Sequence, residues 1–119
     1  MERKAAKELL HIRGWLTRAD EIVVRGKAAY LDDDLLQEAG DSLMMKLGEA
    51  ASRLSRLDLL APEGVDWALA IANRNFIIHR YDEVDREQTW LTLSVDLPAW
   101  SASLNSLFSQ AEAALTGDA

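Results

Sequence analysis

Apolar residues recur every three or four positions along most of this chain, and this helical periodicity constrains the fold more than any other feature. Leu9 and Ile12 belong to a first stripe, which predicts a helix over about residues 3–24. Gly26 follows that stripe and Gly117 follows the last one, and glycine is common just after the end of a helix. The chain is therefore predicted to be all-α.

Acidic residues mark the starts of two further helices. The acidic run 32–34 lies where a helix N-terminus favours negative charge, and it precedes a second apolar stripe that predicts a helix over about 34–57. Asp66 suits the N-cap or first turn of a third helix over about 66–79. We interpret the acidic run as a solvated helix cap.

The last third of the chain contains a capping-box pattern and a proline. Asp85 is followed three residues later by Gln88, which predicts the start of a fourth helix. Residues 91–95 alternate like a short strand, but their place between this capping box and Pro98 favours a helix. Pro98 either kinks the fourth helix or begins a fifth, for which Asp96 is available as the cap.

The composition is that of a soluble globular protein, with 119 residues, 49% hydrophobic and 28% charged. We expect an up-down bundle of four to five helices in a single domain over residues 1–119, with its core over about 5–116. The absence of cysteine excludes disulfides and thiolate metal sites and fits a cytoplasmic setting. No signal peptide or membrane-spanning apolar run is apparent, so no membrane association is expected.

The charge balance limits the class of partner. Thirteen Lys and Arg against twenty Asp and Glu give a net charge of −7. This balance argues against broad, salt-dependent binding to nucleic acid, and no DNA partner is expected. A small basic site remains compatible with an acidic molecule, but it must act against an unfavourable overall field.

The segment 74–81 carries most of the candidate chemistry. Arg74 and Tyr81 are seven residues apart, so an uninterrupted helix would place them nearly in line. Asn75 and His79 are four residues apart and would share a face. These neighbouring stripes predict that the four side chains converge on one groove.

This set of side chains suits the cleavage of RNA without a metal or cofactor. Arginine offers a planar fork of donors that matches phosphate oxygens. Histidine exchanges a proton near neutral pH, asparagine can orient a hydroxyl or the histidine, and RNA carries its own nucleophile, the 2′-OH. The residues alone leave simpler roles open: a salt bridge for Arg74, a surface position for His79 and packing for Tyr81.

The same residues resemble the signature of the HEPN superfamily, an Arg and a His separated by four to six positions with a polar residue after the Arg. The fuller pattern from Arg74 through Asn75 and His79 to Tyr81 is similar to the HepT subgroup in particular. The resemblance covers about residues 9–115. Flanking segments that also resemble this family are 48–55, 65–67, 84–85, Trp90 and 96–98.

The resemblance implies a homodimer that brings two copies of the motif together, and a toxin that cleaves RNA without metal. It implies that Arg74 binds the scissile phosphate, that His79 transfers protons and that Asn75 orients His79 or the ribose. It also implies a partner, a minimal nucleotidyltransferase antitoxin that regulates the toxin by AMPylation of Tyr81. A bulky anion at that position would occupy the phosphate site and repel RNA.

The residues after the motif depart from the family pattern. Asp82 and Glu83 stand where many relatives have an aromatic residue and a glycine, and two acids weaken the attraction for RNA. Arg80 and Arg53 are candidate contacts to RNA phosphates. Arg53 and Arg56, three residues apart, are otherwise interpreted as a solvated helix face.

Two other functions remain open from the sequence. The chain could be a non-catalytic helical adaptor that binds nucleotide or substrate for a nucleotidyltransferase, or a structural dimeric bundle without chemistry. The intact Arg74-to-His79 motif favours the ribonuclease, since a pure adaptor has no need of that histidine.

Glu49 is predicted to face inward and to pair with a motif arginine. Core or dimer-interface positions are predicted for Trp15, Trp67, Trp90 and Trp100.

Overall fold

The computed structural model describes residues 1–117, which form helices joined by short connections. No strand occurs in this part of the chain, and the all-α prediction is confirmed. A 3₁₀ turn spans Tyr81–Glu83 and a π-helical segment spans Thr92–Asp96. The α-helices are α1 (Arg3–Val24), α2 (Lys27–Asp32), α3 (Asp34–Arg56), α4 (Trp67–His79), α5 (Arg86–Leu91) and α6 (Leu97–Thr116).

Local sequence signals determine where these helices begin and end. Asp33, Asp66 and Asp85 are N-caps, and each carboxylate accepts a hydrogen bond of 2.9 Å from the backbone N–H two residues further on. Gly26 and Gly117 follow the ends of α1 and α6 with φ values of +92° and +78°, which favour glycine. The predicted bounds of α1, α3 and α4 are therefore confirmed to within one residue.

The prediction that Pro98 begins a further helix is confirmed, since α6 starts at Leu97 and Pro98 lies in its first turn. No non-helical residue separates α5 from α6, because the π-helical segment connects them. Asp96 has helical dihedral angles and its side chain makes no capping hydrogen bond. The widened turn, in which the N–H of Leu97 bonds to the carbonyl of Thr92, accommodates a proline that has no N–H to donate. With this continuous segment counted once, the described chain has five helical units, within the predicted four to five.

The helix α2 was not predicted, because its six residues are too few to show a periodic stripe. It buries Tyr30 completely, and the Tyr30 hydroxyl lies 2.6 Å from the hydroxyl of Thr89. Arg86 of α5 forms a paired hydrogen bond with the buried carboxylate of Asp41, at 2.7 and 2.9 Å. These contacts join α2, α3 and α5 through a buried polar cluster.

The site-bearing helix α4 packs on α3, and α3 in turn packs on α1, which also contacts α6. Glu8 near the start of α1 pairs with Arg53 near the end of α3, so these two helices run antiparallel. The predicted apolar stripes face the core, where Trp67 is buried and the other three tryptophans are partly buried against it. Among residues 1–117, none of the helices combines the length and apolarity needed to cross a bilayer.

Candidate active site

The motif helix α4 approaches α3 most closely at Gly48. A methyl group added there would lie 2.4 Å from the Cβ atom of Arg74 and 2.7 Å from the carbonyl oxygen of Ala70. Distances this short are not tolerated between real atoms, so only glycine allows the observed crossing. The sequence signal was a glycine in the middle of a helical stripe. Gly48 thereby sets the position from which the Arg74 side chain leaves α4.

Arg74 lies in this crossing with its guanidinium only partly satisfied. Its Nη1 atom donates a 2.9 Å hydrogen bond to Oδ1 of Asn75, and its Nε atom lies 3.7 Å from the Glu49 carboxylate. The predicted pairing of Glu49 with a motif arginine is therefore confirmed, but its predicted inward position is wrong, since Glu49 is exposed. Nε is enclosed by protein and makes no hydrogen bond within residues 1–117. Asn75 thus positions the Arg74 guanidinium, whereas Asn75 was expected from the sequence to orient His79 or the ribose.

His79 is the last residue of α4 and is exposed. Its ring makes no hydrogen bond or ion pair in the described part of the chain. Five residues at about 100° each place His79 about 140° around the helix axis from Arg74. A single subunit therefore presents these two groups in different directions, so the predicted convergence of the four side chains is not achieved within one chain.

Tyr81 does not continue the helical stripe of Arg74. The helix ends at His79 because Arg80 leaves the helical region, with φ −131° and ψ 39°, and Tyr81 opens the following 3₁₀ turn. The premise that Arg74 and Tyr81 lie in line is therefore wrong. Tyr81 is 64% exposed, which leaves its hydroxyl accessible to another protein. Arg80 pairs with Glu83 at 3.1 Å on the surface.

The candidate phosphate contact Arg53 lies on α3 one turn beyond Glu49. Its Nε donates a 2.8 Å hydrogen bond to Glu8 of α1, and its side chain stays 42% exposed. One helical turn separates Arg53 from Glu49, which contacts Arg74, a rise of about 6 Å along α3. No group of three or more His, Asp or Glu side chains within residues 1–117 is placed to hold a metal ion.

The fold and the motif together define an all-α protein with an arginine and a histidine on one short helix. A family model described as ribonuclease HepT-like matches residues 12–107. The chain belongs to this HepT-like ribonuclease family, as the resemblance predicted. No curated protein and no solved structure matched the chain in the corresponding searches.

Gly48→Ala is expected to lower the free energy of unfolding by about 1–3 kcal/mol, because the added methyl overlaps atoms close to the backbone that cannot rotate away. The intrinsic helix preference for alanine, about 1 kcal/mol, opposes this loss. The matched control is Gly14→Ala in α1, where nothing lies within 4 Å of the added atom and a small gain is expected. Urea unfolding of both variants measures the difference; equal stabilisation of both would contradict a tight crossing.

Proposed function

We propose that this protein is the toxin of a toxin–antitoxin pair and cleaves RNA as a metal-independent endoribonuclease. The observation that carries the proposal is the family match over residues 12–107, which includes a motif helix with a partly satisfied Arg74 guanidinium and an exposed His79. The motif itself provides a cation for the phosphate and a group for proton transfer, so the chemistry has no requirement for a metal.

In the proposed reaction, Arg74 binds the scissile phosphate and stabilises the charge that develops on its oxygens. His79 accepts the proton of the ribose 2′-OH, whose oxygen then attacks phosphorus while the bond to the 5′ oxygen breaks. The departing oxygen takes up a proton, in a dimer from the second His79. The products are a 2′,3′-cyclic phosphate and a 5′-hydroxyl. Asn75 positions the Arg74 guanidinium through the hydrogen bond described above.

A homodimer would complete this site. The separation of about 140° between Arg74 and His79 means that one subunit does not surround a phosphate by itself. Large apolar side chains near the motif remain exposed, and such surfaces are typical of protein interfaces. Leu69 and Phe76 are seven residues apart on α4 and share one face, with His79 about 60° from Phe76 around the helix axis. Pairing through this surface would bring two copies of the motif helix together.

The partner that restrains the toxin would be a minimal nucleotidyltransferase acting as antitoxin, which transfers AMP to Tyr81. Two observations support this regulation. Tyr81 is exposed and lies two residues after His79, so a phosphate group on its hydroxyl adds negative charge beside the catalytic histidine. The neighbouring Asp82 and Glu83 already make this turn acidic, and AMP would increase the repulsion of RNA.

The alternative function is a non-catalytic adaptor that presents nucleotide or substrate to a nucleotidyltransferase. The net charge of −7 favours this alternative, since it opposes RNA binding over most of the surface. An adaptor would bind nucleotide tightly, and its effect on cells would not depend on Arg74 or His79. The two functions therefore differ in a measurable way.

Expression in cells with and without the cognate nucleotidyltransferase tests the proposal. Alone, the protein is expected to arrest growth, and Arg74→Ala or His79→Ala should abolish the arrest. Co-expression should restore growth and raise the intact mass by one or more AMP units, and Tyr81→Phe should prevent that addition. Tight nucleotide binding without any growth effect would instead support the adaptor.

A further inference from the structure

A basic groove lies between the start of α1 and the end of α3, on the side of α3 that carries Arg53. It encloses about 360 Å³ and does not include the Arg74 or His79 side chains. Its residues form two helical stripes that face each other. They are Lys4, Lys7, Glu8 and His11 from α1, and Arg53, Arg56 and Leu57 from α3.

The charge of this groove is opposite to that of the protein. Four of its side chains are Lys or Arg and only Glu8 is acidic, although the chain as a whole carries −7. Arg53 is held by Glu8, whereas Lys4, Lys7 and Arg56 form no ion pair with any residue in 1–117. Three uncompensated cations in one groove favour an anionic ligand.

Helix stability does not account for the lysines. The first turn of α1 begins with Arg3 and Lys4 and contains no acidic residue, and the only acid at this helix end is the N-cap Glu2, whose side chain makes no capping hydrogen bond. The positive end of the helix dipole disfavours cations there by about 0.3–1 kcal/mol, so this placement works against the stability of α1. Lys7 extends the same stripe by one turn. A cost of this kind is expected where the charges serve binding.

The groove begins one turn of α3 beyond Glu49, the residue that contacts Arg74. Arg53 follows Glu49 on the same face of α3 after four residues, a rise of about 6 Å. Arg56 and the α1 lysines continue beyond Arg53. A flexible polynucleotide held at Arg74 can therefore place its next phosphates in this groove.

We infer that this groove binds the sugar-phosphate backbone of single-stranded RNA next to the cleaved linkage. The inference rests on the proposed ribonuclease function and adds a binding site for the substrate outside the motif. Lysine and arginine contact phosphates without reading bases, so the groove strengthens binding independently of sequence. Binding to phosphates releases their counterions, so the affinity falls as the salt concentration rises. For single strands, the slope of log K against log salt concentration is about −0.7 per phosphate contact.

The test measures binding of a fluorescent single-stranded 2′-O-methyl RNA to the full chain by anisotropy over a series of salt concentrations. This probe lacks the nucleophile, so binding is measured separately from cleavage. The variant Lys4→Gln/Lys7→Gln is expected to lower the salt slope by roughly 1.4 and to weaken binding roughly tenfold near 0.1 M salt. Its thermal stability should be unchanged or slightly higher, because two unfavourable charges leave the start of α1.

The matched control is Arg13→Gln/Lys27→Gln, which removes the same charge from two exposed ion pairs outside this groove and should leave the slope within experimental error. Equal losses in both variants, or no loss in the lysine variant, would overturn the groove as an RNA site. Displacement of the RNA by polyglutamate of equal charge at equal concentration would assign the groove to an acidic protein instead. The ribonuclease proposal is tested separately, by incubating the wild-type protein with RNA that retains its 2′-OH groups. RNA that stays intact in that experiment would contradict the ribonuclease proposal but not the binding groove.

Discussion

Replacing His79 with alanine is expected to slow RNA cleavage by roughly 10²–10⁴-fold, the usual contribution of a group that transfers protons in the transition state. The imidazole is exposed at the end of α4 and has no hydrogen-bond partner in residues 1–117, so its removal disturbs no packing. The free energy of unfolding should therefore change by less than about 1 kcal/mol. Initial rates on a labelled RNA, together with urea unfolding, measure the two effects.

His11→Ala is the matched control, because His11 is the other histidine of the chain and is also exposed. It lies on α1, contacts the ring of Trp15 and lines the basic groove but not the motif, so at saturating RNA the cleavage rate should stay within a small factor of the wild-type rate. Addition of a chelator should leave the wild-type rate unchanged. Loss of activity with chelator would discard the proposed chemistry, and cleavage by His79→Ala at the wild-type rate would remove His79 from it.

Arg86→Met is expected to cause a large loss of stability, about 3–5 kcal/mol, because it leaves the Asp41 carboxylate buried without its counter-charge. The Asp41 side chain is only 7% exposed and receives two hydrogen bonds from Arg86. Met fills much of the space taken by the aliphatic part of the arginine side chain. The loss of stability therefore measures the removal of the charge rather than the creation of a cavity. Urea unfolding monitored by circular dichroism is the measurement.

The pH dependence of this loss follows from the direction of the pKa shift. Hydrogen bonds from Asp41 raise the pKa of Arg86, and this effect outweighs the opposing effect of burial. A raised pKa means that the stabilisation is complete below the usual value for arginine and is lost only as the pH rises through the raised value. The stability difference should therefore be the same at about pH 6 and about pH 8, where arginine is fully charged in both states.

Two further variants make the stability prediction specific. Lys27→Met breaks the exposed pair with Glu87 and should cost less than about 1 kcal/mol. The double variant Asp41→Leu/Arg86→Met removes both buried charges and should recover most of the loss. An Arg86→Met protein as stable as the Lys27→Met control would show that the buried pair does not hold α3 and α5 together.

The helices and the residues of the motif were predictable because their signals are local. Caps such as Asp66 and Asp85 act within one turn of their own position, and the stripe of Leu9 and Ile12 follows from the helical repeat alone. The identity of Arg74 and His79 as candidates likewise came from spacing and residue type. Their roles in catalysis stay predictions that the variants above address.

The arrangement around Arg74 depended on contacts between distant parts of the chain. A glycine within the α3 stripe marks Gly48 as unusual but does not identify α4 as the helix that packs against it, and no local pattern indicates that Asn75 bonds to Arg74 rather than His79. The end of α4 at His79 also removed Tyr81 from the helical stripe on which its alignment with Arg74 had been predicted. A helical projection assumes a continuous helix and ignores the neighbouring one.

By itself, the sequence determined the all-α fold, the bounds of the helices α1, α3 and α4, and the family. Periodicity, capping and motif spacing are properties of neighbouring residues, so these features could be predicted. Only the tertiary structure decided that Asp41 is neutralised by Arg86, that a π-helical segment joins α5 to α6, and that Lys4 and Arg56 share one groove. These features arise from the packing of segments far apart in the chain, and the free energies that select them depend on distance and burial rather than on sequence position.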